Sequence, residues 1–159
     1  MSRPTHTKTS GILWIVILLS IVAFVLLKIR TPKNIAETEL NKRDIVISGH
    51  ELSVYEARTQ IEREMGLSAF DHIKDNEGML FYFDNYGKPS FWMKGMKFPI
   101  DIVWMKDWIV KGIVENVPVE PEDKLTNYVP DSDINEVLEL KAGIVSQNNI
   151  KIGDALQLK

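Results

Sequence analysis

The chain has 159 residues, 45% of them apolar and 26% charged, with a net charge of −3 and no cysteine. That length holds one globular domain once a membrane segment is set aside, and the composition is not that of a disordered or low-complexity chain. Disulfides, a thiolate nucleophile and Cys-based metal sites are excluded. The charge divides unevenly. Residues 1–33 carry Arg3, Lys8, Lys28, Arg30 and Lys33 and no acid, which leaves 14 basic and 22 acidic residues beyond them, a net of −8. That sign opposes binding to nucleic acid, whose phosphates require a positive surface.

Residues 1–10 read as a short N-terminal tail and 11–28 as a transmembrane anchor. Ile12 to Leu27 is a run of sixteen residues in which Ser20 is the one polar side chain. At ~1.5 Å per residue it makes a helix of roughly 24 Å. Lys28 and Arg30 snorkelling to the interface bring it close to a ~30 Å hydrocarbon core. Trp14 suits an interfacial aromatic. A cleaved signal peptide would end in a small-x-small site, but this stretch closes on Phe24-Val25-Leu26-Leu27-Lys28. The expectation is an uncleaved single-pass anchor in a lipid bilayer. Its flanking positive charges nearly tie, and the acidic body has no charge barrier to export, so the domain is placed on the extracytoplasmic side.

Residues 29–43 read as a polar tether, and regular structure is expected from Asp44. The runs Asp44 to Ser48 and Glu51 to Tyr55 flank Gly49-His50 and predict a hairpin. Thr59 with Glu62 forms a capping box, and Gly66 suits a helix stop, so one short helix is expected from Gln60 to Met65. Gly78 to Phe83 predicts a strand, with a turn over Asn85 to Lys88 and Phe91-Trp92-Met93 pairing back across it. Ile100 to Met105 and Trp108 to Val117 predict two further strands. Pro118 to Asn135 is a Pro- and acid-rich loop, and Glu136 to Leu140 and Ala155 to Leu158 read as closing strands. The expected fold class is mostly β (α+β): a small β-barrel or jelly-roll-like domain over 44–159 with one or two short helices, preceded by the transmembrane helix.

Several short motifs then line up in order. They are Glu62-Arg63 with Gly66-Leu67, Gly78-Met79-Leu80-Phe81, Phe91-Trp92-Met93-Lys94, Pro99-Ile100-Asp101, Val137 to Leu140 with Ala142-Gly143, and Gly153-Asp154. In order and spacing the chain resembles the family called domain of unknown function 192, from about Asp44 to Lys159. The resemblance implies a compact β-barrel or jelly-roll-like domain, often exported, and no established activity. Two stretches depart from the family pattern. Ser68, Ala69 and Phe70 stand where Met and often Arg follow Gly-Leu, and Gly95-Met96 replaces an Asn-Thr. If those positions line a ligand site, this member has lost some of its polar groups.

The charged residues inside the motifs are Glu62, Arg63, Lys94, Asp101 and Glu139. With Trp92 they are the candidate ligand-binding residues. One reading lines a polar cleft with them, where Trp92 stacks on a sugar ring or peptide side chain. The other pairs Arg63 or Lys94 with Asp101 or Glu139 simply to satisfy buried charge, or has Asp101 bonding backbone amides in a turn. His6, His50 and His72 are scattered and form no ligand spacing, so no metal and no cofactor are expected. Glu120, Glu122, Asp123, Asp131 and Asp133 suit a solvated acidic loop better than a calcium site. No catalytic residue is assigned. Three functions stay open: a binding or accessory module of the cell envelope for a polar small molecule, glycan or protein; a carboxylate-dependent hydrolase; and a structural partner of another envelope protein.

Overall fold

The computed structural model describes residues 40–159. The tail, the anchor expected over 11–28 and residues 29–39 of the tether lie outside the described residues. Among the described residues, no helix is long and apolar enough to cross a membrane.

Seven strands form one mixed sheet: β1 (Lys42–Ile47), β2 (His50–Ala57), β3 (Glu77–Gly87), β4 (Ile100–Lys106), β5 (Ile109–Val117), β6 (Ile134–Lys141) and β7 (Leu156–Leu158). Their order is β5-β4-β6-β3-β2-β1-β7. Two short helices accompany them, α1 (Gln60–Met65) and α2 (Ile144–Gln147), and a 3-10 turn (Gly66–Ala69) continues α1. The sheet is curled. Its C-terminal segment pairs with β1 through β7 and also bonds β5, where Val110 donates to the Asp154 carbonyl at 2.9 Å and Leu156 to that of Trp108 at 2.8 Å. One segment therefore bridges both ends of the strand order. This is a half-barrel made from a single sheet, not the two-sheet arrangement of a jelly roll.

Strand alternation sorts the apolar side chains onto two faces. Leu52, Val54, Leu80, Val103, Met105, Leu138 and Leu140 pack on one face with Ile144, Val145 and Ile150 of the α2 region. Tyr55, Met79, Phe81, Ile102, Trp104 and Val137 pack on the other, under Leu67 and Phe70 from the crossover and Met93 and Met96. With both faces covered, the central strands read as nearly continuous apolar runs.

The β1–β2 hairpin forms, but its turn falls one residue earlier than the sequence suggests. Ile47 pairs with His50, and Ser48 and Gly49 are the turn residues, with φ of 51° and 80°. Two positive φ values make the turn that matches strand twist, and this placement gives glycine the second of them. Strand β1 also starts at Lys42, inside the stretch read as tether.

The capping box of α1 is present. Glu62 N donates to Thr59 Oγ1 at 3.3 Å, and the Glu62 carboxylate accepts from the amides of Thr59 and Arg58, both at 2.8 Å. Gly66 closes the helix with φ of 51° and ψ of −152°, a conformation open only to glycine.

The expected pairing of Phe91-Trp92-Met93 with β3 does not occur. Strand β3 runs on to Gly87, paired in parallel with β2 over Glu77 to Phe81 and in antiparallel with β6. Phe91 instead exchanges backbone hydrogen bonds with Tyr128, at 2.9 and 2.8 Å. The parallel β2–β3 pair requires a crossover. Residues 58–76 provide it, and they carry α1 across one face of the sheet. Strand β6, read from sequence as a closing strand, is central, between β3 and β4.

Candidate functional site

A cleft of about 200 Å³ opens between the α1 crossover and the segment 89–96. One wall carries Gln60, Arg63, Glu64, Leu67 and Ser68; the other carries Ser90, Phe91, Trp92, Lys94 and Met96. Phe81 and Phe83 of β3 and Glu139 of β6 complete the lining. Mostly apolar walls with a few polar groups are the usual make-up of a small-ligand site.

Glu139 is the unusual group. It sits in the middle of the central strand, opposite Met79 on β3 and Ile102 on β4. Only 5% of the residue is exposed. Its carboxyl has no hydrogen-bond or ion-pair partner among the described residues, and its oxygens open to the cleft. Burial pushes its pKa from 4.5 up to about 8, because a charge is costly where the surroundings are largely desolvated. At neutral pH the group is a carboxylic acid, able to donate one hydrogen bond and accept others.

The remaining polar groups line the walls of the cleft. Arg63 is anchored through Nη1, which donates to the carbonyls of Arg58 and of Tyr82, the latter at 2.9 Å. Its guanidinium carbon lies 5.3 Å from the Phe83 ring centroid. Lys94 is exposed and makes no ion pair among the described residues. Glu64 accepts from Gln60 Nε2 at 2.8 Å. Trp92 stands at the lip, 52% exposed.

The six sequence candidates therefore divide. Trp92, Lys94, Arg63 and Glu139 meet in the cleft. Glu62 caps α1, and the amides of Thr59 and Arg58 hold its carboxylate below the usual range. Asp101 is fully buried elsewhere: it accepts from the amides of Asn116 at 2.8 Å, Gly143 at 2.9 Å and Val145 at 3.0 Å. It joins β4, β5 and the start of α2, which is the backbone-bonding role weighed in the sequence. Sequence reasoning missed the aromatic floor and the wall positions Leu67, Gln60 and Glu64. Ser68 and Met96, two of the positions where this chain departs from the family pattern, also line the cleft. Among the described residues no group of three or more His, Asp or Glu side chains is placed to hold a metal.

A second polar cluster lies on the other face. One Glu56 oxygen accepts from Arg43 and Arg58, both at 2.9 Å, and from the Tyr82 hydroxyl at 2.7 Å. Burial raises the Glu56 pKa, but the hydrogen bonds from Arg58, Tyr82 and Arg43 more than offset it, and the group lies below its ordinary value. This carboxylate is fully compensated, which Glu139 is not.

A curled mixed sheet crossed by a short helix defines a small mostly-β half-barrel domain. The chain belongs to the DUF192 family, "Uncharacterized ACR", whose pattern it matches over residues 43–158. Two solved structures are similar. One is a protein from Sinorhizobium meliloti 1021 described as a candidate transcription regulator, 29% identical, with a TM-score of 0.67, covering 75% of this chain and 95% of that one. The other is a protein of unknown function from Novosphingobium aromaticivorans DSM 12444, 28% identical, with a TM-score of 0.68, covering 74% and 86%. No curated protein matches.

Proposed function

We propose that this chain is a membrane-tethered binding module that takes a small ligand into the cleft above Glu139. The observation that carries the reading is the unpartnered, buried carboxyl at the base of an open cleft. Its oxygens open to the cleft and are held by no described residue, and burial raises its pKa; a carboxyl so placed is a candidate for ligand recognition. The apolar run from Ile12 to Leu27 supports the tether, with the domain held outside the cytoplasm.

The hydrolase reading gains less support. Asp101 is committed to three amides, so the second carboxylate in reach of the cleft is Glu64, on the exposed rim. A transcriptional role, the description given to the Sinorhizobium protein, sits poorly with the net charge of −8 beyond residue 33.

A fragment screen on the full chain in lipid nanodiscs tests the binding reading, followed through the methyl signals of Leu67 and Met96. Fragments that shift these two and leave Leu156, on the far face, unmoved support it; hits scattered over the surface, or none, contradict it. The tether is tested by washing membranes with alkaline carbonate. Retention of the chain in the pellet is expected, and release into the wash overturns that part.

A further inference from the structure

Resting on that binding reading, we infer that the cleft selects small organic anions, a carboxylate-like head on a ring-sized apolar body, with Glu139, Arg63 and Lys94 as the polar partners of the head.

Size and lining set the body. The cleft holds about 200 Å³. A cavity of about 150 Å³ takes a benzene ring, whereas drug-sized ligands occupy roughly 300 Å³ or more. Phe81, Phe83, Phe91, Leu67 and Met96 provide apolar contact for one ring.

Charge sets the head. The groups that line the cleft with Glu139 or flank it in the sheet come from three directions. The crossover presents Arg63, Glu64 and Ser68, the opposite wall presents Lys94, and the flanking strands present Met79, Phe81 and Ile102, none of which titrates. With Glu139 neutral, the cleft lining holds two cations, Arg63 and Lys94, and one carboxylate, Glu64, within a net negative domain. Neither cation forms an ion pair among the described residues, although Arg63 acts electrostatically on the neighbouring Glu62 carboxylate. Seven other basic residues (Lys42, Arg43, Arg58, Lys74, Lys97, Lys141 and Lys159) form ion pairs with Asp or Glu, while Lys88, Lys106, Lys111, Lys124 and Lys151 lie outside the cleft and form none. Arg63 instead donates to carbonyls through one nitrogen, and Lys94 makes no ion pair among the described residues. A ligand carboxylate would supply the missing acceptor for them, and the Glu139 hydroxyl would be a donor to it.

An ammonium ligand, drawn to Glu139 and the aromatic rings, is the competing occupant. It is disfavoured because Arg63 already lies near the Phe83 ring, and both rim cations would repel it. The two occupants also differ in proton linkage. An anion prefers the neutral carboxyl, so its affinity falls once Glu139 ionises; a cation prefers the ionised form, so its affinity rises.

The experiment uses the full chain in zwitterionic nanodiscs with three probes of one size, benzoate, benzylammonium and benzyl alcohol, read by the Leu67 and Met96 methyl shifts. Benzoate is expected to bind most tightly at pH 7 and to lose about tenfold in affinity by pH 9, as the neutral fraction of Glu139 falls. Glu139→Gln keeps a neutral donor, so benzoate should still bind, without the pH dependence. Lys94→Gln, on an exposed side chain that leaves the fold intact, should weaken benzoate and leave benzyl alcohol unchanged. Arg63→Gln should do the same if α1 keeps its place. Preference for benzylammonium, or benzoate affinity indifferent to both pH and Lys94→Gln, overturns the anion assignment and leaves the binding module standing. Silence from all three probes also overturns it, and the binding reading then stands or falls on the fragment screen.

Discussion

Asp101 and Glu139 lie on adjacent strands but project from opposite faces of the sheet. Asp101 is paired with Leu140 and Ile102 with Glu139, so the two carboxyls are one residue out of step. That single step separates two fates. Asp101 collects three amide hydrogen bonds and ties strands to a helix. Glu139 emerges beneath the cleft with no partner among the described residues, and the functional proposal follows from that difference.

Glu139 sets a pH dependence of stability with an unusual sign. The folded chain holds its proton up to about pH 8, whereas the unfolded chain releases it near 4.5. The unfolded state therefore binds fewer protons between those values, and stability falls as pH rises across the window, at ~1.4 kcal/mol per unit. Glu139→Gln removes this slope. The variant should match the parent near pH 4.5 and exceed it by on the order of 4 kcal/mol at pH 8. Glu56 and Glu77, held below the ordinary range despite burial, contribute the opposite slope at acid pH in both proteins. The difference between urea midpoints of the two proteins, measured from pH 4.5 to 8.5, isolates Glu139.

Asp101→Ala should cost on the order of 3–5 kcal/mol, because it strands the amides of Asn116, Gly143 and Val145, each worth roughly 1–3 kcal/mol when left unpaired in the interior. Urea denaturation at pH 7 checks this. A loss below ~1 kcal/mol would mean that water replaces the carboxylate at no penalty.

Gly78→Ala should destabilise by roughly 1–3 kcal/mol, the usual range for overpacking. A Cβ at Gly78 would meet the Glu139 carbonyl oxygen at 2.5 Å and a Leu140 methyl at 2.7 Å. Strands β3 and β6 would have to part beside the carboxyl that defines the cleft. The change should therefore also shift the Leu67 and Met96 methyl signals, whereas a purely local effect would leave them in place.

The sequence displays this fold most clearly where the signal is local. The capping box of α1 and the apolar runs of β3, β4, β5 and β6 are written in consecutive residues, and they form as the patterns predict. The failures concern strands that meet partners far along the chain. The parallel pairing of β2 with β3 has no local signature, and neither has the bridge of Phe91 to Tyr128 that stands in place of the expected pairing with β3. The candidate site was half legible. Glu139 interrupts Val137-Leu138-Glu139-Leu140 as a lone charge in a central strand. Alternation puts it on the face of Val137, opposite that of Leu138 and Leu140. What it could not tell is that Asp101, equally out of place in Ile100-Asp101-Ile102, would find three amides and Glu139 none. That outcome depends on where α2 and the β5 backbone arrive.

The ionisation of the Glu139 side chain tests the account most directly. In protein carrying 13C-labelled glutamate, with Glu139→Gln as the assignment control, its carboxyl carbon should stay in the neutral position through pH 7 and titrate at about 8. Titration in the ordinary carboxylate range, complete by pH 6, would show a solvated or paired group, and the case for a ligand-recognising carboxyl would fall with it.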